Sequence, residues 1–188
     1  MKKAIIIFSL LMGLLVVSQL DVFKSKGILE VYGLENQSVE EVVQLLESGA
    51  IDASGLTAFI NSEELNLQTK NDLVTMKLPE NEFYLSFAPY ITSSHVCQTH
   101  YLTSCQGEMR NETFMIKVVL EDGTVYLEKE VTSENNGFVG VWLPKDIKGV
   151  LHINYEDMHV SSSISTYDED PTCLTTPLQL VKNEAHTE

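Results

Sequence analysis

The sequence predicts an α+β protein: a small helical and hairpin domain over residues 28–78, then an all-β, sandwich-like domain over 79–182. Apolar residues recur at helical spacing before residue 50, and an alternating hairpin follows them ahead of Pro79. After Pro79, six short runs of β-branched and aromatic residues are separated by turn chemistry, the pattern of a sandwich or barrel.

In chain order, Met1-Lys2-Lys3 and the 14 apolar residues 4–17 fit the positive and hydrophobic regions of an export signal. That run is short of the ~20 residues of a membrane span. Val17-Ser18-Gln19-Leu20 lacks a small-x-small cleavage pattern, so residues 1–20 are expected to be a signal peptide or an uncleaved N-terminal anchor. After a polar tether near Lys24, residues 28–34 read as a short helix stopped at Gly33. Ser38-Val39-Glu40-Glu41 is a capping box, with Val39, Val42, Val43, Leu45 and Leu46 forming the apolar stripe behind it and Gly49 ending the helix. A second short helix is expected over 54–59, and a hairpin over 64–68 and 73–78 with its turn at Thr69-Lys70-Asn71-Asp72. Strands are expected at 83–87, 113–120, 124–131, 138–143, 150–155 and 160–166, with Asp122-Gly123 as a hairpin turn and Trp142 in the core. Residues 183–188 are expected to fray.

The chain has 188 residues, 44% of them hydrophobic and 21% charged, enough for a packed core and unlike a disordered chain. Twelve Lys and Arg against 27 Asp and Glu leave a net charge of −15, which argues against nucleic acid and anionic membranes, whose phosphates need cationic partners. No P-loop, dinucleotide glycine pattern, nucleophile elbow or HExxH helix is present, so those chemistries find no support in the sequence.

The chemistry gathers in one segment, His95-Val96-Cys97-Gln98-Thr99-His100-Tyr101-Leu102-Thr103-Ser104-Cys105, with a third cysteine far away at Cys173. The three thiols meet only if the fold returns the chain end to the 95–105 loop. Three thiolates with imidazoles suit a soft or borderline ion: Cu(I) accepts two or three soft ligands, and Zn(II) in a Cys3His site is the alternative. Spacing leaves a structural disulfide equally open, Cys97–Cys105 or Cys105–Cys173 with one thiol to spare. His95 and His100 flank Cys97, whereas His152 and His159 read as strand residues, His186 lies in the tail, and Met109, Met115 and Met158 read as packing.

Phe83-Tyr84-Leu85-Ser86-Phe87-Ala88-Pro89-Tyr90 leads into the His95–Cys105 stretch. Gln106-Gly107-Glu108, Gly137-Phe138-Val139-Gly140-Val141-Trp142-Leu143-Pro144 and Pro171-Thr172-Cys173-Leu174-Thr175-Thr176 follow. Together these contexts resemble the CueP family of bacterial periplasmic copper-binding proteins. The resemblance implies that 79–182 is the metal-binding domain and that Cys97, Cys105 and Cys173 are copper ligands, with His95 and His100 tuning, relaying or completing the site. It implies a place in the periplasm or cell envelope, a part in copper resistance, and delivery to an exported cuproenzyme such as copper/zinc superoxide dismutase. Two thiols can reduce Cu(II) while forming a disulfide, which makes a thiol reductant a second expected partner. A homodimer is compatible with the sequence. The alternative in another class is a thiol–disulfide redox protein or a disulfide-stabilised binding module.

Overall fold

The computed structural model of the chain describes residues 27–182. The signal peptide or anchor expected over 1–20, the fraying expected at 183–188 and His186 lie outside the described residues. The fold is β-rich, with 42% of the described residues in strands and 8% in helices. Two helices are described, α1 (Ile28–Val31) and α2 (Val39–Glu47). The first strands are β1 (Thr57–Ile60), β2 (Glu64–Gln68), β3 (Leu73–Lys77), β4 (Glu82–Phe87) and β5 (His100–Tyr101). They are followed by β6 (Thr113–Leu120), β7 (Val125–Thr132), β8 (Val139–Pro144), β9 (Lys148–Tyr155), β10 (Met158–Ser165), β11 (Cys173–Leu174) and β12 (Val181–Lys182). None of the described helices is long and apolar enough to cross a membrane.

Local chemistry accounts for α2. The Ser38 side chain accepts from Glu41 N, and Glu41 Oε2 accepts from Ser38 N at 2.8 Å, so two of the helix's otherwise unpaired N–H groups are satisfied. Gly49, at φ +67°, turns the chain out of the helix. Residues 54–59, expected as a helix, instead lead into β1. Asp52 Oδ1 accepts from Ser54 N, imitating a helix start, but over Thr57–Ile60 burial alternates, with Ala58 and Ile60 inside, and the segment pairs with β2 on one side and, through Phe59 and Ile60, with β5 on the other. Cross-strand pairing prevails over a weak local preference.

The strands form three sheets, ordered β3-β2-β1-β5, β12-β10-β9-β6-β7 and β11-β4-β8. The pairing is antiparallel except for β11, which runs parallel to β4 with Cys173 opposite Ser86 and Leu174 opposite Phe87. Strand β4 is buried on both faces. Its odd positions, Phe83, Leu85 and Phe87, pack with Val139, Val141 and Leu143 of β8 and with Phe114, Ile116, Leu151 and Ile153 of the five-stranded sheet. Its other face sends Tyr84 into a second core built from α2, β1 and β2, which also takes in Leu102 and the partly buried Trp142. Packing thus crosses position 78/79, and the Tyr84 and Trp142 rings lie 4.8 Å apart.

The capping box sets where α2 begins and hence where its last residue, Glu47, falls. Ser38→Ala is expected to lower unfolding free energy by about 1 kcal/mol, checked by urea titration followed by circular dichroism; an unchanged midpoint would show that packing alone places the helix.

Candidate metal centre

The 91–99 segment is a loop tied down by its backbone. Glu108 accepts hydrogen bonds from the N–H groups of Ser93 at 2.8 Å, Thr92 at 3.0 Å and Ile91 at 3.3 Å. Burial pushes its carboxyl up, and these donors together outweigh that and hold it below the ordinary value. Farther along the loop, Thr175 Oγ1 donates to His95 O, and Cys173 N donates to Gln98 O at 3.2 Å. His100 N donates to Thr172 Oγ1, which itself donates to Ile60 O, so one buried threonine joins β5, β1 and the residue before Cys173. Cys105 closes a tight turn: its N–H donates to Tyr101 O at 2.9 Å while Tyr101 N donates to Cys105 Sγ at 3.4 Å.

These ties bring four of the five sequence-predicted residues together. One ligand atom each from Cys97, His100, Cys105 and Cys173 lies within 4.8 Å of all the others. Cys97 and Cys173 are joined by a disulfide with Cα atoms 5.4 Å apart, and Cys105 is free. This is neither of the two pairings the sequence suggested. The physical reason is the parallel seat of β11 on β4, which sets Cys173 under the 95–99 loop while the 101–105 turn holds Cys105 to one side. Cys105 Sγ is 3.7 Å from Cys97 Sγ, and Cys173 Sγ is 3.9 Å from His100 Nδ1. His95 is exposed on the loop and outside the group.

His100 is fully buried, with its ring 4.7 Å from that of Phe138. Its Nε2 lies 2.7 Å from Glu47 Oε1. Tyr84 donates to the same oxygen at 3.0 Å, and Asn136 Nδ2 donates to Oε2 at 2.7 Å. Burial pulls the His100 pKa down, but hydrogen bonds to Cys105 and Glu47 and the charges of both outweigh it and raise it to about 9. Burial, reinforced by the Glu47 charge and hydrogen bond, pushes the Tyr84 phenol well above its ordinary value. Sequence reasoning missed Glu47, Tyr84 and Asn136. One signal was available: Glu47 falls on the α2 stripe, four and eight residues after Val43 and Val39, where a carboxylate is out of place.

With the disulfide closed, one thiol and one imidazole face the space between the four donors. With it open, three sulfurs and a nitrogen do, a donor set that suits Cu(I) or Zn(II). His152 and His159 lie in the five-stranded sheet, His152 Nδ1 sitting 2.7 Å from Ser161 Oγ across β9 and β10. Asp168, in the acidic run before Cys173, pairs with Lys145 at 3.0 Å.

Comparison with known proteins places these features. The family model for the periplasmic copper-binding protein CueP matches residues 41–179. The crystal structure of S.CueP superposes with a TM-score of 0.77 at 40% sequence identity, covering 81% of this chain and 94% of that one. No curated protein sequence gives a significant match.

The raised pKa of His100 has a consequence for stability. A proton held to about pH 9 in the folded state and to 6.5 in the unfolded state contributes stability that is complete below pH 6.5 and lost as pH rises through 9. The urea midpoint of the metal-free, disulfide-bonded protein is therefore expected to fall across that window. His100→Gln should flatten the fall, and an equal fall in both proteins would remove His100 as its source.

Proposed function

Because this chain belongs to the CueP family, we propose that it is an extracytoplasmic copper-binding protein that holds Cu(I) between Cys97, Cys105 and Cys173, with His100 Nδ1 as a nitrogen donor. The observation that carries this is the convergence of those four side chains within 4.8 Å from sites up to 76 residues apart. His95, on the exposed loop rim, serves as a relay for incoming or departing metal.

The disulfide gives the site two states. Opening it takes two electrons and two protons from a thiol reductant and yields the three-sulfur form. In the reverse direction, two Cu(II) ions take one electron each from the Cys97 and Cys173 thiols, producing two Cu(I), the disulfide and two protons. Sequestration in the three-sulfur form supports copper resistance, and stepwise exchange of one sulfur at a time passes the ion to an exported cuproenzyme such as copper/zinc superoxide dismutase. The net charge of −15 attracts cations at long range, screened beyond ~8–10 Å in physiological salt. Two separate hydrophobic cores also support reading the chain as an α+β lobe against a sandwich-like pair of sheets.

After anaerobic reduction, Cu(I) titration against a competing chelator should give tight 1:1 binding, with each of Cys97→Ser, Cys105→Ser and Cys173→Ser weakening it by more than about tenfold, since even residues behind the ligands typically cost that much. Unchanged affinity in Cys173→Ser would sink the three-sulfur site. The protein with the disulfide closed should bind Cu(I) far more weakly until a reductant is added.

A further inference from the structure

Glu47 is held by three side-chain hydrogen bonds near the centre, although it lies on a helix remote in sequence from every cysteine. It is 6% exposed, on the same face of α2 as Val39, Val43 and Leu46, where an unpaired carboxylate is costly. Three groups satisfy it: His100 Nε2 and the Tyr84 hydroxyl on Oε1, and Asn136 Nδ2 on Oε2. Each of these is fixed in turn. Tyr84 lies across Gly140, where an added Cβ would overlap the Tyr84 hydroxyl. Asn136 Oδ1 accepts from Phe138 N at 2.9 Å, and Asn136 O accepts from Gly107 N, two residues beyond Cys105. The Phe138 ring covers the His100 imidazole. With Nε2 committed to Glu47, the nitrogen left to face the sulfurs is Nδ1, 3.9 Å from Cys173 Sγ. Histidines that bind metals commonly donate the other ring N–H to a carboxylate, which fixes ring orientation and tautomer.

We infer that Glu47 is the positioning residue of the metal centre: it accepts the His100 Nε2–H hydrogen bond, directs Nδ1 toward the three sulfurs, and so determines whether the site offers three donors or four. This deepens the copper-site reading above and rests on it. The consequence is metal selectivity. Cu(I) is satisfied by three sulfurs, whereas Zn(II) requires a fourth ligand. Loss of Glu47 therefore weighs more heavily on Zn(II) than on Cu(I).

The test uses anaerobically reduced protein loaded with Cu(I) or Zn(II), read by X-ray absorption and by chelator competition. In Glu47→Leu the nitrogen neighbour should vanish while three sulfurs stay, and Zn(II) affinity should fall by about 10–100-fold with a smaller loss for Cu(I). Glu47→Gln, whose amide oxygen still accepts from Nε2–H, should keep the nitrogen. A Glu47→Leu protein that retains its nitrogen, or that loses Cu(I) and Zn(II) affinity equally, overturns the inference. Three sulfurs and no nitrogen in the parent protein also overturns it while leaving the three-cysteine site standing. Fewer than three sulfurs in the parent, with a nitrogen that Glu47→Leu removes, overturns the three-cysteine site and supports Glu47. Should Glu47→Leu not fold, Tyr84→Phe and Asn136→Leu each remove one other anchor of the carboxylate. Zn(II) affinity must then fall with the sulfur count unchanged, and no change in both variants overturns the inference.

Discussion

Two residues of parallel pairing, Cys173 beside Ser86 and Leu174 beside Phe87, hold the late part of the chain against its middle, and the rest of the centre depends on them. Backbone bonds reinforce the pairing from both sides: Ser86 N donates to Thr172 O, Ala88 N to Leu174 O, and Cys173 N to Gln98 O. So short a strand has little stability of its own. It is held because β4 is already buried between two cores, leaving one open edge for β11 to fill. The Cys97–Cys173 bond then closes a loop spanning 76 residues, a constraint on the unfolded chain of about 4.5 kcal/mol in the chain-entropy model.

That arrangement couples redox state, metal and fold. Opening the disulfide would remove the covalent tie between the 95–99 loop and β11, and a metal ion held by the same two sulfurs, as proposed, would restore a tie between the same segments. The neighbouring ties, Glu108 on the loop backbone and Thr172 between β5 and β1, do not involve sulfur. One buried side-chain atom among the described residues has no hydrogen-bond partner, Ser86 Oγ, in the residue paired with Cys173.

Much of this was legible in the sequence where the signal is local. The Ser38–Glu41 capping box, the 64–77 hairpin and the six strands after Pro79 reappear within a residue or two, because turn chemistry and alternation act over a few neighbours. The expected helix at 54–59 did not reappear, since Asp52 and Ser54 imitate a helix start and only the flanking strands decide otherwise. β5, β11 and β12, two residues each, are too short to carry a periodic signal.

For the candidate site, the sequence by itself supplied the candidate donors, three sulfurs and the histidines beside Cys97, legible because ligand chemistry belongs to the residue type. Only the tertiary structure decided which cysteines bond, that His100 is buried in the group while His95 stays outside, and that Glu47 stands behind the imidazole. Those are questions of contact between segments 37 to 89 residues apart, Tyr84, His100 and Asn136 each meeting Glu47 across such a span. Contacts at that range are set by which strand finds which edge and which face it buries, and no local pattern encodes them.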